Sequence, residues 1–329
     1  CEIKNRFVMA PMATTGITKW TYGLKGVNKS VHDLHIDRCK DGIGLIIPGS
    51  MAVCSPLAKR WADEHPEAFD GVPELMDEIH SYGTKLFLQI ASGFGRQMPA
   101  MPVLEKHKDI LKPVLDYDFW FSTPTGGLPN LWYPDSKSPE LQKEAIHRFV
   151  KGYAGTALLA KEAGVDGIEI HALHEGYLMD QLAMPHTNHR TDEYGGSLEN
   201  RLRFATETVK AIKAVCGEDF PVIIRYSVQS RITDWNHGII PQDHESVEIG
   251  RTREESAKAV KILEEAGYDG LDVDNGTYDS WYYPHPPVYM PLNCNLDDAK
   301  YIKQFTNLPI FCAGKMQFDA AAEAIDNGE

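Results

Sequence analysis

The run His171-Ala-Leu-His174-Glu175-Gly-Tyr177 gathers two imidazoles, a carboxylate and a phenol, groups able to hydrogen-bond a substrate oxygen and to deliver a proton. Elsewhere, polar residues close several apolar runs: Gln89, Arg225, Asp274 with Asn275, and Gly314-Lys315. A cationic Arg225 beside an amide such as Gln89 suits a planar, polar ring system that gains negative charge during reaction. Gly314-Lys315, opening the loop into a last helix, suits a phosphate held by backbone N–H groups, a helix N-terminus and an ammonium. Together these describe a site for flavin mononucleotide (FMN). Each signal alone has an ordinary structural explanation: a strand-end arginine is as often a salt-bridge partner, and paired histidines are often satisfied core groups. Their joint placement favours the site.

Such residues meet only if the elements carrying them converge. Short apolar runs at Arg6–Ala10, Gly44–Pro48, Lys85–Ile90, Gly167–Ile170, Val222–Arg225, Leu271–Asp274 and Pro309–Cys312 alternate with helical patterns, as in βα units of a parallel sheet. Ser138-Pro139 reads as a helix start, with an apolar face through Leu141, Ile146, Phe149 and Tyr153 and a stop at Gly164. A second helix starts near Ser197 and stops at Gly217; Thr252 and Glu255 have capping-box spacing before a third, which Gly267 ends. These units predict an α/β fold, a (β/α)8 TIM barrel whose eighth strand is missing from the residues given. No Gly-x-Gly-x-x-Gly follows any run, which argues against a doubly wound sheet. Barrel enzymes work at the carboxyl ends of their strands, where Ala10-Pro11-Met12-Ala13, Gly49, Gln89, His171, Arg225, Asp274 and Gly314-Lys315 all fall.

The balance of 33 Lys and Arg against 47 Asp and Glu gives a net charge of −14, which offers no general attraction to nucleic acid or anionic lipid. No apolar stretch is long enough to span a bilayer, so a soluble, cytoplasmic protein is expected. The six cysteines are scattered without a C-x-x-C pair, fitting a reducing compartment, and no metal site is expected. The chain opens on Cys1 and stops at Asn327-Gly328-Glu329 in mid-pattern, so residues 1–329 are expected to be one flavin-binding barrel domain incomplete at both ends. The insertion 92–138, rich in proline and aromatics, should cover the barrel mouth or join a partner in a homo-oligomer.

The segment Glu169-Ile-His-Ala-Leu-His-Glu-Gly-Tyr-Leu-Met-Asp-Gln-Leu-Ala-Met-Pro-His-Thr-Asn-His-Arg-Thr-Asp-Glu-Tyr-Gly-Gly-Ser-Leu-Glu-Asn-Arg201 resembles the signature of the old yellow enzyme family of FMN-dependent ene-reductases. The resemblance runs from Lys4-Asn-Arg-Phe-Val-Met-Ala-Pro-Met12 to Phe311-Cys-Ala-Gly-Lys-Met316. The runs Gln89-Ile-Ala-Ser-Gly-Phe-Gly-Arg96 and Gly276-Thr-Tyr-Asp-Ser-Trp-Tyr-Tyr-Pro-His-Pro-Pro287 are most similar to the 2-enoate reductase and 2,4-dienoyl-CoA reductase branch.

The resemblance implies that Ala10, Pro11, Met12 and Ala13 lie along the flavin, with Gly49 and Gln89 near its ring edge. Arg225 would face the N1/O2 side, and Gly314 and Lys315 would hold the phosphate. His171 and His174 would hydrogen-bond the carbonyl of an α,β-unsaturated small molecule, Tyr177 would protonate it, and His285 would be a second acid/base histidine. NADH or NADPH would be the reductant. The branch also carries a 4Fe-4S cluster and an FAD in segments that these residues do not include. Most of the family has one fewer residue between the first histidine and the tyrosine, which leaves open whether His171 or His174 meets the carbonyl. Ser92 stands near where many relatives carry histidine.

Two aromatic clusters, Tyr117, Phe119, Trp120, Phe121, Trp132 and Tyr133, then Tyr278, Trp281, Tyr282, Tyr283 and Tyr289, either pack on the barrel or line its mouth. If they line it, a flat aryl enone or enoate, cinnamate-like or flavonoid, is favoured. The alternatives are oxidative amine demethylation on the same fold and a metal-dependent barrel hydrolase using His171, His174 and Glu175. The hydrolase lacks a His-x-His on the first strand, where Val8-Met-Ala-Pro-Met12 stands.

Overall fold

The computed structural model describes residues 1–56, 60–98, 101–111, 113–115, 117–243 and 245–329, with only the backbone at 101, 102, 105, 108, 117 and 118. Every expected apolar run forms a strand: β1 Val8–Met9, β2 Leu45–Ile46, β3 Lys85–Ala91, β4 Gly167–Leu173, β5 Val222–Ser227, β6 Gly270–Asp274 and β7 Ile310–Cys312. They pair in parallel in that order. Seven strands thus curve into a TIM barrel open between β1 and β7, and β7, on that open side, is only half-buried. Among the described residues no helix is long and apolar enough to cross a membrane.

Because strand side chains alternate, every second residue faces the barrel interior. At the amino-terminal end Leu45, Ile47, Phe87 and Ile223 form an apolar floor, with Val8 and Phe311 against it. Glycine makes room there: a Cβ on Gly167 would lie 2.7 Å from the Phe87 ring. Two residues further along the strands, the interior positions turn polar at Gln89, Glu169, Arg225 and Asp272. Two further on come His171, Ser227 and Asp274. The register supports these levels, pairing Gln89 with Glu169, Asp272 with Arg225 and Asp274 with Ser227.

Outside the barrel, α1 (His32–Lys40), α2 (Val72–Ser81), α3 (Lys143–Glu162), α4 (Arg203–Cys216), α5 (Arg253–Ala266), α6 (Leu296–Lys303) and α7 (Phe318–Asp326) cover the strands. The start expected at Ser138-Pro139 falls short of α3, which begins at Lys143. The Ser138 and Pro139 carbonyls instead accept from Gly127 and Thr123, which ties the insertion to the chain just before the helix. Ser197 caps a single helical turn, Leu198–Arg201, ahead of α4. Thr252 caps α5 by accepting from the Glu255 N–H, but the Glu255 carboxylate leaves the box to bind Arg201 at 2.7 Å. A charge-assisted pair outweighs a second cap bond.

The insertion packs in part on the flank: Trp120 and Phe121 are buried, and Phe119 stacks on Phe149 of α3 at 4.9 Å. The side chain of Tyr117 lies outside the described residues.

Beneath the loop after β1, His35 of α1 is fully buried with neither ring nitrogen paired. Burial pushes its pKa down to about 4. The unfolded chain therefore binds this proton first, so the stability from neutral His35 is complete above about pH 6.5 and is lost as pH falls toward 4. The loss amounts to up to about 3 kcal/mol. Urea denaturation across that window should show the loss in the parent protein and a flatter profile in His35→Leu; parallel profiles would contradict the assignment.

Candidate active site

The loop after β4 carries the reactive cluster because a left-handed turn folds it back over the barrel. Glu175 has φ +56° and Gly176 φ +71°. The positive φ of Gly176 calls for glycine on backbone grounds, and a Cβ there would also sit 2.4 Å from Gln97 Nε2. Asp180 locks the turn. One of its oxygens accepts the Gly176 N–H at 2.8 Å, and the other meets the buried Arg251 at 2.5 Å. Arg251 also donates to the carbonyls of Leu173 and Ser227, fastening the loop to β4 and β5. Gln181 reaches the carbonyls of Phe94 and Gly176, fastening it to the loop after β3. Asn188, Arg190, Asp192 and Arg201 order the continuation: Arg190 binds Asp192 and the carbonyls of Pro124 and Leu141.

Within the cluster, His171 Nε2 and His174 Nδ1 are 3.0 Å apart, and Glu175 Oε2 lies 3.5 Å and 3.8 Å from them. The other Glu175 oxygen meets His285 Nε2 at 2.6 Å. Burial alone would raise the Glu175 pKa, but His174, His171 and His285 outweigh it and hold the carboxyl well below its usual range. Burial lowers the pKa of His171, so its ring is neutral at pH 7. The Tyr177 ring lies 4.7 Å from that of His171 and 4.7 Å from that of Phe94. Burial and the Glu175 charge push the Tyr177 phenol well above its usual pKa, so it keeps its proton at neutral pH.

Below the cluster runs a chain of buried charge. Gln89 donates to Glu169 at 2.7 Å; Arg225 donates to Asp272 at 2.8 Å and to Asp274 at 2.8 and 3.2 Å. Asp274 in turn lies 2.6 Å from His174 Nε2, short but poorly aligned for a hydrogen bond. Burial and the neighbouring Asp272 raise Glu169 well above the usual carboxylate pKa, so it holds a proton. Burial pushes Asp274 up too, yet His174 and Arg225 prevail and keep it ionised. Gln89, Arg225 and the histidines, which the sequence places on three strands, thus belong to one connected interior. Glu169, Asp272 and Asp274 link them. Strand alternation signals the first two, since Glu169 stands two residues before His171 and Asp272 two before Asp274.

The remaining expected contacts sit around the rim. Ala10 and Pro11 are half-buried and Met12 and Ala13 exposed. Gly49 underpins them: its N–H donates to Thr15 Oγ1 at 2.9 Å, and a Cβ there would fall 2.1 Å from the Met12 carbonyl oxygen. Gly314 and Lys315 both have positive φ, +115° and +48°. The Lys315 ammonium donates to the carbonyls of Val288 and Met290 at 2.6 and 2.5 Å, which leaves one N–H for an anion. Sequence reasoning missed these carbonyl partners, which come from a loop after β6. Of the aromatic clusters, Tyr278, Trp281 and Trp132 gather at the mouth, with ring centroids 4.3 Å apart for Tyr278 and Trp281 and 6.4 Å for Tyr278 and Trp132.

These residues fit a flavin. Each Arg225 Nη keeps a second N–H beyond its carboxylate bonds, and His171 Nδ1 is buried without a partner, as a group awaiting a bound molecule would be.

A parallel barrel with a donor-rich interior and a histidine–tyrosine loop at its carboxyl-terminal mouth has the layout on which barrel enzymes build their active sites. The model of the NADH:flavin oxidoreductase / NADH oxidase family matches residues 1–329, and the chain belongs to that family. It is 40% identical to cinnamate reductase of Clostridium sporogenes, over 100% of this chain and 48% of that protein. It is 32% identical to an NADH oxidase of Thermoanaerobacter brockii, over 98% of this chain and 45% of the relative. The chain spans about half the length of these two curated relatives. Among solved structures, the old yellow enzyme homologue of Zymomonas mobilis superposes with a TM-score of 0.66 at 23% identity, over 99% of this chain and 82% of that one. The hydrolase and the amine demethylase are not favoured by these matches, although His171, His174 and Glu175 do stand close enough together to suit a metal ion.

Removing one partner of a buried ion pair strands the other. Asp274→Ala leaves Arg225 with Asp272 alone and takes away the carboxylate beside His174, and should cost about 3 kcal/mol in chemical denaturation. A cost below about 1 kcal/mol would show that Arg225 does not depend on this carboxylate.

Proposed function

We propose that the chain is the catalytic barrel of an FMN-dependent ene-reductase that reduces the C=C bond of an aryl α,β-unsaturated acid or ketone, drawing electrons from NADH or NADPH. What carries the proposal is the Tyr177 hydroxyl held protonated beside His171 and His174, over an interior that contains Gln89 and Arg225. The identity with cinnamate reductase supports an aryl enoate, as do the flat faces of Tyr278 and Trp281 at the mouth. In the full-length protein a 4Fe-4S cluster and an FAD would pass the electrons inward.

The flavin would supply hydride to the β-carbon of the substrate. Arg225 and Gln89 would hold its ring, Ala10, Pro11, Met12, Ala13 and Gly49 would shape the edge beside it, and Gly314 and Lys315 would bind its phosphate. Arg225 places positive charge where the reduced ring becomes anionic. His171, whose Nδ1 has no partner, would donate to the substrate oxygen as negative charge gathers there, and His174, set between His171 and Asp274, would hold that ring in place. Tyr177 would deliver a proton to the α-carbon, which a phenol does readily for an enolate while staying protonated in water at pH 7. His285 sits on Glu175 at the exposed edge and would balance charge as protons leave the cluster.

In Tyr177→Phe, reoxidation of NADH-reduced flavin by trans-cinnamate should slow by about 100-fold or more, with bleaching of the flavin by NADH unaltered. Reoxidation at the parent rate would remove Tyr177 from the chemistry, and a full-length protein that binds no flavin would overturn the function itself.

A further inference from the structure

Tyr278 lies 101 positions beyond Tyr177, in the loop after β6, yet the two hydroxyls are 2.7 Å apart and the rings stack at 5.4 Å and 30°. The alignment is built from several directions. The Tyr278 N–H donates to the Glu175 carbonyl at 3.0 Å, so the loops after β4 and β6 are stitched together beside both phenols. Thr277 caps the turn Tyr278–Ser280, accepting from the Asp279 N–H while Ser280 answers the Thr277 N–H. Asp279 then anchors the turn through a buried ion pair with Arg96 at 2.7 Å and accepts the Asn236 N–H at 2.7 Å. Tyr278 is thereby held in one place by groups that leave its hydroxyl aimed at Tyr177. Packing alone requires none of this hydroxyl alignment.

The geometry points to Tyr278 as a positioning and proton-relay residue for Tyr177: it donates to the Tyr177 oxygen, turning the Tyr177 proton toward the substrate, and replaces that proton as it leaves. This rests on the reduction proposed above. The balance is simple. The Tyr177 O–H bond breaks as a C–H bond forms at the substrate α-carbon, and the bonding pair stays on the Tyr177 oxygen. In the same step the Tyr278 O–H bond breaks to restore Tyr177, and the charge passes to Tyr278, which takes a proton from water at the mouth. A phenolate at Tyr177 would face the ionised Glu175 in a buried setting, which favours its prompt removal to the half-buried Tyr278. His171, His285 and Glu175 are the other titratable groups around the pair.

The test uses the full-length holoprotein with NADH and trans-cinnamate. Tyr278→Phe should slow cinnamate-dependent reoxidation by about tenfold or more and leave flavin reduction and cinnamate affinity within about twofold. In mixtures of light and heavy water, the reoxidation rate of the parent should depend on deuterium content along a bowed line, two protons moving together, and that of Tyr278→Phe along a straight one. Independently of turnover, the 13Cζ resonance of Tyr177 should titrate at higher pH in Tyr278→Phe, because the donor to its oxygen has been removed. A straight line in the parent, or an unchanged rate and Tyr177 titration in the variant, overturns the relay alone. A parent whose reduced flavin no unsaturated acid reoxidises overturns the reduction and the relay with it.

Discussion

Arg225 sits inside the barrel between Asp272 and Asp274, and the rest of the site is arranged around the cost of keeping that charge away from water. A lone buried guanidinium would be prohibitive, so β6 supplies two carboxylates from alternate positions of one strand face. The second carboxylate is shared with His174, which connects the interior charge to the loop that carries Tyr177. Glu169 is spared ionisation by the same crowding, since Asp272 lies near it, and remains a neutral partner for Gln89. The barrel therefore holds a paired guanidinium in a low-dielectric setting, with N–H groups left over to meet negative charge developing nearby.

Over this interior the loop after β4 needs its own reinforcement. The left-handed turn at Glu175 and Gly176 folds the loop back over the barrel. It also turns the Glu175 carboxylate inward among three histidines. The buried Asp180–Arg251 pair holds the turn against its tendency to relax, and the loops after β3 and β6 brace it from either side. Tyr177 is thus positioned by contacts that come from several segments of chain, few of which touch the reaction.

Much of the fold is legible in the residues themselves, because β-branched runs bounded by Gly and Pro mark parallel strands and capping residues mark helix ends. The strand ends then name Gln89, His171 and Arg225. What the sequence does not reveal are partners chosen in three dimensions. Ser138-Pro139 has the chemistry of a helix start, yet its backbone pairs with Thr123 and Gly127 instead. Glu255 has capping-box spacing, yet Arg201 binds its carboxylate. Lys315 stands where a phosphate ligand is expected, and its bonds to Val288 and Met290 depend on a loop whose path no local pattern encodes. Trp120 and Phe121 look like Trp132 and Tyr278 as a string of letters; burial separates the two packing aromatics from those at the mouth.

The most direct measurement is the two-electron midpoint potential of the flavin in the full-length protein and in Arg225→Met, whose side chain keeps the bulk and loses the charge. The account predicts stoichiometric FMN in the parent and a potential more negative by about 30 mV or more in the variant, since the reduced anionic ring loses its countercharge. An unchanged potential, with FMN still bound, would contradict it.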